Sequence, residues 1–217
     1  EKSQKDSLTG LLNNSTIKQQ IGARLQSLKR GQTGYLVVQD VDSFKKINDT
    51  NGHLFGDAVL CSFADELSNI FPEALKGRIG GDEFVFYVED MDREQLEEKL
   101  KQLNRCMSDR YDDDKTGLHI SCSLGAAVTD GTVTDYNLLF QWADAALYQV
   151  KSKGKGAYYL LDVKEGVALP GKSYLDSEEN KEDEIAHKEA QFESAEDLVL
   201  FCMDLLENVP NLTSALK

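Results

Sequence analysis

Apolar positions along this chain recur at two spacings, one near 3.6 residues and one of short continuous or alternating runs. Ser15–Leu28 places Ile17, Ile21, Leu25 and Leu28 on one face, and the spacing predicts a helix. Tyr35–Gln39 is a short apolar run after Gly34 that predicts a buried strand ending at Asp40. Helical spacing returns over Asp57–Phe71 through Leu60, Phe63, Ala64, Leu67 and Ile70, and Pro72 stops it. Arg78-Ile79 and Phe84–Val88 flank Gly80-Gly81-Asp82-Glu83, which predicts a hairpin because glycine supplies the positive φ of a tight turn.

Arg93–Met107 is a further amphipathic helix, and Leu118–Val128 alternates as a strand. Asp135–Lys153 is a helix carrying Leu138, Leu139, Trp142, Ala146 and Val150, closed by Gly154, and Tyr158–Val163 is the last strand. Helices interleaved with strands and at least one hairpin predict an α+β fold, a sheet covered by helices. Beyond a boundary near residue 163, Ser194-Ala-Glu-Asp is a cap preceding the apolar run LVLFCMDLL, a helix with more apolar surface than a solvated tail requires. Residues 1–163 are therefore expected to form one domain. Residues 164–217 are expected to form an acidic linker and C-terminal helix leading towards another domain.

Charge sharpens this division. The 217 residues carry 38 acids and 24 bases, a formal net charge of −14. Residues 164–217 alone hold 13 acids and 5 bases, with SEENKEDE at 177–184 as a solvated run. At 41% hydrophobic residues the chain can bury a core, which excludes wholesale disorder. The acid excess argues against a surface for nucleic acid or anionic lipid, and leaves room for a ligand held by a few placed lysines. The cysteines at 61, 106, 122 and 202 form no CxxC pair and no ligand spacing with the three histidines, which argues against structural zinc. No stretch approaches 18 apolar residues and EKSQKDSLTG lacks a signal-peptide core, so a soluble, cytoplasmic segment is expected, whatever anchors a longer protein. The P-loop pattern GVALPGKS at 166–173 is followed by SYLDSEENKEDE, too polar for the buried helix that a P-loop requires, and reads as a turn.

Two acidic clusters carry the candidate chemistry. Asp40-Val41-Asp42 ends the buried strand, and Asp82-Glu83 tips the hairpin. Carboxylates on a strand end facing others on a neighbouring hairpin build an oxygen-rich site for Mg²⁺, which enters with substrate phosphates. Two such ions about 3.5–4 Å apart suit phosphoryl or nucleotidyl transfer. Taken singly, each acid beside glycine is more simply a turn former.

The run DVDSFKKINDTNGHLFGDAVL at 40–60, followed by RIGGDEF at 78–84, strongly resembles the GGDEF family of diguanylate cyclases. DSLTGLLNN at 6–14, SCSLGAA at 121–127 and ADAALYQVKSKGKG at 143–156 extend the resemblance over residues 5–163. The resemblance implies a palm-like nucleotidyl-cyclase fold, with a mainly antiparallel sheet, that condenses two GTP molecules into cyclic di-GMP across a homodimer. It implies Mg²⁺, with Mn²⁺ as an alternative, on Asp40, the carbonyl of Val41, Asp82 and Glu83. Asp82, ahead of Glu83, would help to deprotonate the attacking 3′-hydroxyl. Asn48 and Asp57 would read guanine, whose ring N–H and amine suit a carboxylate acceptor. His53 would lie in the same loop. Phe44 and Lys45 would approach the phosphates, Gly80 and Gly81 would let the hairpin backbone approach the nucleotide, and Lys151 and Lys155 would grip the terminal phosphates. Asp42 is left with a structural part, and the flanking region is expected to lead to a sensory domain.

The sequence departs from the family pattern at three places. Lys155-Gly156 stands where most members have Arg-Asn, which removes the fork of a guanidinium. Phe71-Pro-Glu-Ala74 stands where product-inhibited members carry Arg-x-x-Asp, so no inhibitory site of that kind is expected. Asn14 replaces the arginine that commonly closes the LTGLxN motif.

Overall fold

A computed structural model describes residues 3–111 and 119–167. The expected C-terminal helix, the acidic run at 177–184 and all but Gly166 and Val167 of GVALPGKS lie outside the described residues.

Six strands form one sheet in the order β1-β3-β4-β2-β5-β6. They are β1 Leu12–Asn13, β2 Gly34–Val41, β3 Leu75–Gly80, β4 Glu83–Glu89, β5 Cys122–Thr129 and β6 Tyr158–Asp162. The central ribbon β3-β4-β2-β5 is antiparallel, and the edge strands β1 and β6 pair parallel to β3 and β5. The helices are α1 Asn14–Ser27, α2 Phe44–Asn51, α3 His53–Ile70, α4 Arg93–Tyr111 and α5 Tyr136–Ser152.

Strand alternation sorts β2 between two cores. Tyr35, Val37 and Val41 join Phe63, Leu67, Phe84 and Leu100 beneath α3 and α4. Leu36 and Val38 join Ile17, Ile21, Leu139, Trp142 and Leu147 beneath α1 and α5. A sheet buried on both faces explains why YLVVQ reads as a continuous run rather than an alternation. Even Gln39 is fully buried there.

Two elements differ from expectation. The stretch read as a loop before Asp57 is helical: α2 has Ile47 as its one buried residue, and α3 begins at His53. Strand β5 begins at Cys122 rather than at Leu118, which lies outside the described residues. The hairpin is as predicted, with Gly80 paired to Glu83 around a two-residue turn and Gly81 at φ +35°.

Candidate active site

Asp40 occupies the last paired position but one of β2, directly between Glu83 of β4 and Ser123 of β5. This register brings the strand-end acid to the GGDE turn. By alternation Asp40 shares a face with Leu36 and Val38, and so faces α5. That helix lies unusually close to the sheet: a β-carbon at Gly125 would stand 2.1 Å from the Ala143 carbonyl and from the Leu147 amide. One helical turn beyond Leu147 comes Lys151, and two residues along β5 from Gly125 comes Ser123, the partner of Asp40. A turn of helix and two strand residues span similar lengths, about 5–7 Å. Lys151 therefore arrives over Asp40, with its Nζ 3.0 Å from Oδ2.

The electrostatics follow from this crowding. Burial, and then the charge of Asp82, push the Asp40 carboxyl up to about 7, against the pull of Lys151. Burial works against the Lys151 ammonium, but Asp40, Asp82 and Glu83 together hold it above the ordinary lysine range. Asp40 is 7% exposed, while Asp82, Glu83 and Lys151 are half-buried. The acids at 40, 82 and 83 thus form one electrostatic unit, on one side of the sheet end.

The hairpin is braced from the amino-terminal segment. Arg78 donates from Nε to the Gly81 carbonyl at 2.8 Å, and its Nη1 lies 3.2 Å from Asp6. Asp6 itself accepts from the Thr9 amide and hydroxyl, which holds its carboxyl below the usual range despite burial. Asn14 donates to the Ile79 carbonyl at 3.0 Å. The DSLTGLLNN segment therefore braces the hairpin through Asp6 and Asn14, a part that the sequence alone does not disclose.

A second cluster lies on α2 and α3. A β-carbon at Gly56 would stand 1.9 Å from Asn48 Oδ1 and 3.1 Å from the Phe44 ring. Gly56 thus lets the two helices close on Asn48, whose Oδ1 is buried without a hydrogen-bond partner. Asp57 follows Gly56 on α3 and is exposed, as are His53 at the start of α3 and Lys45 in the first turn of α2. Lys155 is exposed, with Nζ 3.4 Å from Ser43 Oγ at the start of α2. Gly80 and Gly81 are exposed at the turn.

Among the described residues no group of three or more His, Cys, Asp and Glu side chains forms a ready metal cage. The donor set nevertheless fits a hard cation that completes its shell with phosphate oxygens and water: carboxylates at 40, 82 and 83 and the carbonyl of Val41. A carboxyl that burial and a neighbouring acid make costly to ionise is one that a cation relieves.

The family model described as "Diguanylate cyclase, GGDEF domain" matches residues 3–157. The chain belongs to this family. Its GGDEF sequence is 35% identical over 159 residues to the diguanylate cyclase DgcS of Shewanella oneidensis, covering 71% of this chain and 52% of that one. It is 30% identical over 154 residues to the cyclic di-GMP phosphodiesterase PdeR of Escherichia coli, covering 70% and 23%. The crystal structure of the GGDEF domain of DgcB from Caulobacter crescentus in complex with c-di-GMP superposes with a TM-score of 0.66 at 26% identity, covering 74% of this chain and 96% of that one. The chain spans between about a fifth and about half the length of the curated relatives it matches. No helix among the described residues is long and apolar enough to cross a membrane.

Proposed function

We propose that this GGDEF domain is a diguanylate cyclase that condenses two GTP molecules into cyclic di-GMP with release of pyrophosphate. The observation that carries the reading is the union of Asp40, Asp82, Glu83 and Lys151 at one sheet end. The domain is taken as residues 1–163, close to where the family match ends, with 164–217 leading towards a sensory or effector region.

GGDEF cyclases generally depend on a divalent metal, and here Asp40, Asp82, Glu83 and the Val41 carbonyl would hold Mg²⁺ or Mn²⁺. Such an ion would supply charge neutralisation on the triphosphate and favour the ionised 3′-hydroxyl. The chain's own residues do the rest. Lys151 and Lys155 grip the terminal phosphates, aided by Lys45 and by the backbone N–H groups that open α2 at Phe44. Asn48 and Asp57 read the guanine edge, with Phe44 and His53 beside it. Asp82, assisted by Glu83, accepts the proton of the 3′-hydroxyl. That oxygen then bonds to the α-phosphorus of the second GTP, the α–β anhydride bond breaks, and pyrophosphate leaves. The reciprocal step closes the ring. One site holds one GTP, so the reaction takes place between two copies face to face, and dimerisation controls it.

A weaker reading, a GTP-binding sensor with little turnover, is favoured by Lys155 in place of arginine, and a phosphodiesterase is among the relatives that share the domain. Incubation with GTP and Mg²⁺ decides between them. Cyclic di-GMP as the chromatographic product supports the cyclase. GTP binding without a dinucleotide, even in a forced dimer, leaves only the sensor.

A further inference from the structure

Asp42 lies just past β2, 6% exposed, and accepts hydrogen bonds from two other segments of the chain. Ser121, immediately before β5, donates to Oδ2 at 2.6 Å and Ser123, within β5, to Oδ1 at 2.6 Å. The Gly156 amide, in the turn between α5 and β6, donates to Oδ2 at 2.9 Å. The Asp42 amide returns a bond to the Ser121 carbonyl at 2.9 Å. One carboxylate thus joins the β2–α2 junction, the start of β5 and the α5–β6 turn.

The two residues that this staple flanks are both strained. Ser43, next in the chain, has φ +58°, and Lys155, next to Gly156, has φ +67°. These are the only two non-glycine residues in the left-handed region, among those described, apart from Asp90. Side chains rarely adopt that conformation unless neighbouring contacts over-determine it. For Lys155 the contacts stand on either side: its own amide donates to the Val150 carbonyl at 3.2 Å, and the next amide goes to Asp42. Its Nζ then meets Ser43 Oγ at the opening of α2. A buried acid is thereby holding an exposed lysine over the end of a helix in a backbone state that the lysine would otherwise leave.

Resting on the cyclase reading above, we propose that Asp42 is a positioning residue for the phosphate end of the nucleotide site. Through Gly156 and Ser43 it fixes Lys155 and the amino end of α2, and so it acts on the terminal phosphates and not on guanine. A merely structural acid would affect both ends of the nucleotide alike.

The test uses the whole chain and two probes, a non-hydrolysable GTP analogue and GMP, which lacks the terminal phosphates. In Asp42→Asn the side chain keeps its shape but one acceptor oxygen becomes a donor and the negative charge is lost, so the bonds from Ser121, Ser123 and Gly156 are rearranged and weakened. The expected result is at least a tenfold loss of affinity for the GTP analogue, with GMP affinity unchanged within twofold. Asp42→Asn combined with Lys155→Ala should lose little more than Lys155→Ala alone, because the two act as one unit. Ser121→Ala, which spares the carboxylate, should give a smaller loss of the same selective kind and serves if Asp42→Asn does not fold. Equal loss of both ligands, or additive effects in the double variant, overturns the proposal. A wild-type chain that binds neither probe overturns the cyclase reading and this proposal with it, whereas selective loss supports the proposal whether the domain turns GTP over or only binds it.

Discussion

The Lys151 ammonium stands 3.0 Å from Asp40, where the last turn of α5 crosses the end of β2. A cation built into the chain therefore sits on the acid proposed to take a metal, and the same lysine is proposed to grip phosphate. Under the proposed function, Lys151 serves the acid without nucleotide and the triphosphate with it.

The raised Asp40 carboxyl sets a pH dependence. A carboxyl near 7 in the folded protein and near 4 when unfolded makes the native state bind more protons between those values. Its contribution to stability is complete below about pH 4 and is lost as pH rises through about 7. Thermal melts without metal should show Tm falling by on the order of 5 °C from pH 5 to pH 8, and Asp40→Asn should flatten that fall. Parallel profiles for the two proteins would show that Asp40 ionises freely.

Gly56→Ala reverses the usual helical preference. Alanine favours a helix interior over glycine by roughly 1 kcal/mol. Here the added methyl would meet Asn48 Oδ1 at 1.9 Å, so helix α2 or the amide must give way. We expect a lower Tm and at least a tenfold loss of affinity for both GTP analogue and GMP by calorimetry. This loss at the guanine end contrasts with the phosphate-end loss expected for Asp42→Asn.

Lys155→Arg keeps the backbone position and charge and adds a two-pronged donor. KM for GTP should fall by about threefold to tenfold with kcat little changed. An unchanged or higher KM would place the 155 side chain away from the phosphates.

Product inhibition of the Arg-x-x-Asp kind should be absent. Phe71 is 2% exposed in the core against Phe86, and Lys76 Nζ donates to the Phe71 and Pro72 carbonyls, so this segment offers no guanidinium and no carboxylate at 71 and 74. Initial rates should not change when micromolar cyclic di-GMP is added beforehand.

Much of this arrangement is legible in the sequence because burial imposes period. β2, α3, α5 and the Gly80–Glu83 hairpin each carry an apolar pattern or a turn signal strong enough to place them. α2 escapes because FKKINDTN buries one side chain, Ile47, and offers no stripe to detect. β1 escapes because two residues have no period. The proximity of Asp40 to the GGDE turn follows from the hairpin lying beside β2, but Asp42, Ser121 and Ser123 form a cluster only through register across β2 and β5. Alternating serines at a strand start carry no signal until the neighbouring strand is known.

The carboxylate cradle is tested most directly by anomalous scattering from crystals grown with Mn²⁺ and a non-hydrolysable GTP analogue. A manganese peak bounded by Asp40, Val41 and the Asp82-Glu83 turn, with Lys151 moved from Asp40 to the phosphates, is the predicted result. A nucleotide bound with Lys151 still paired to Asp40 and no manganese between the two acidic strands would contradict the account.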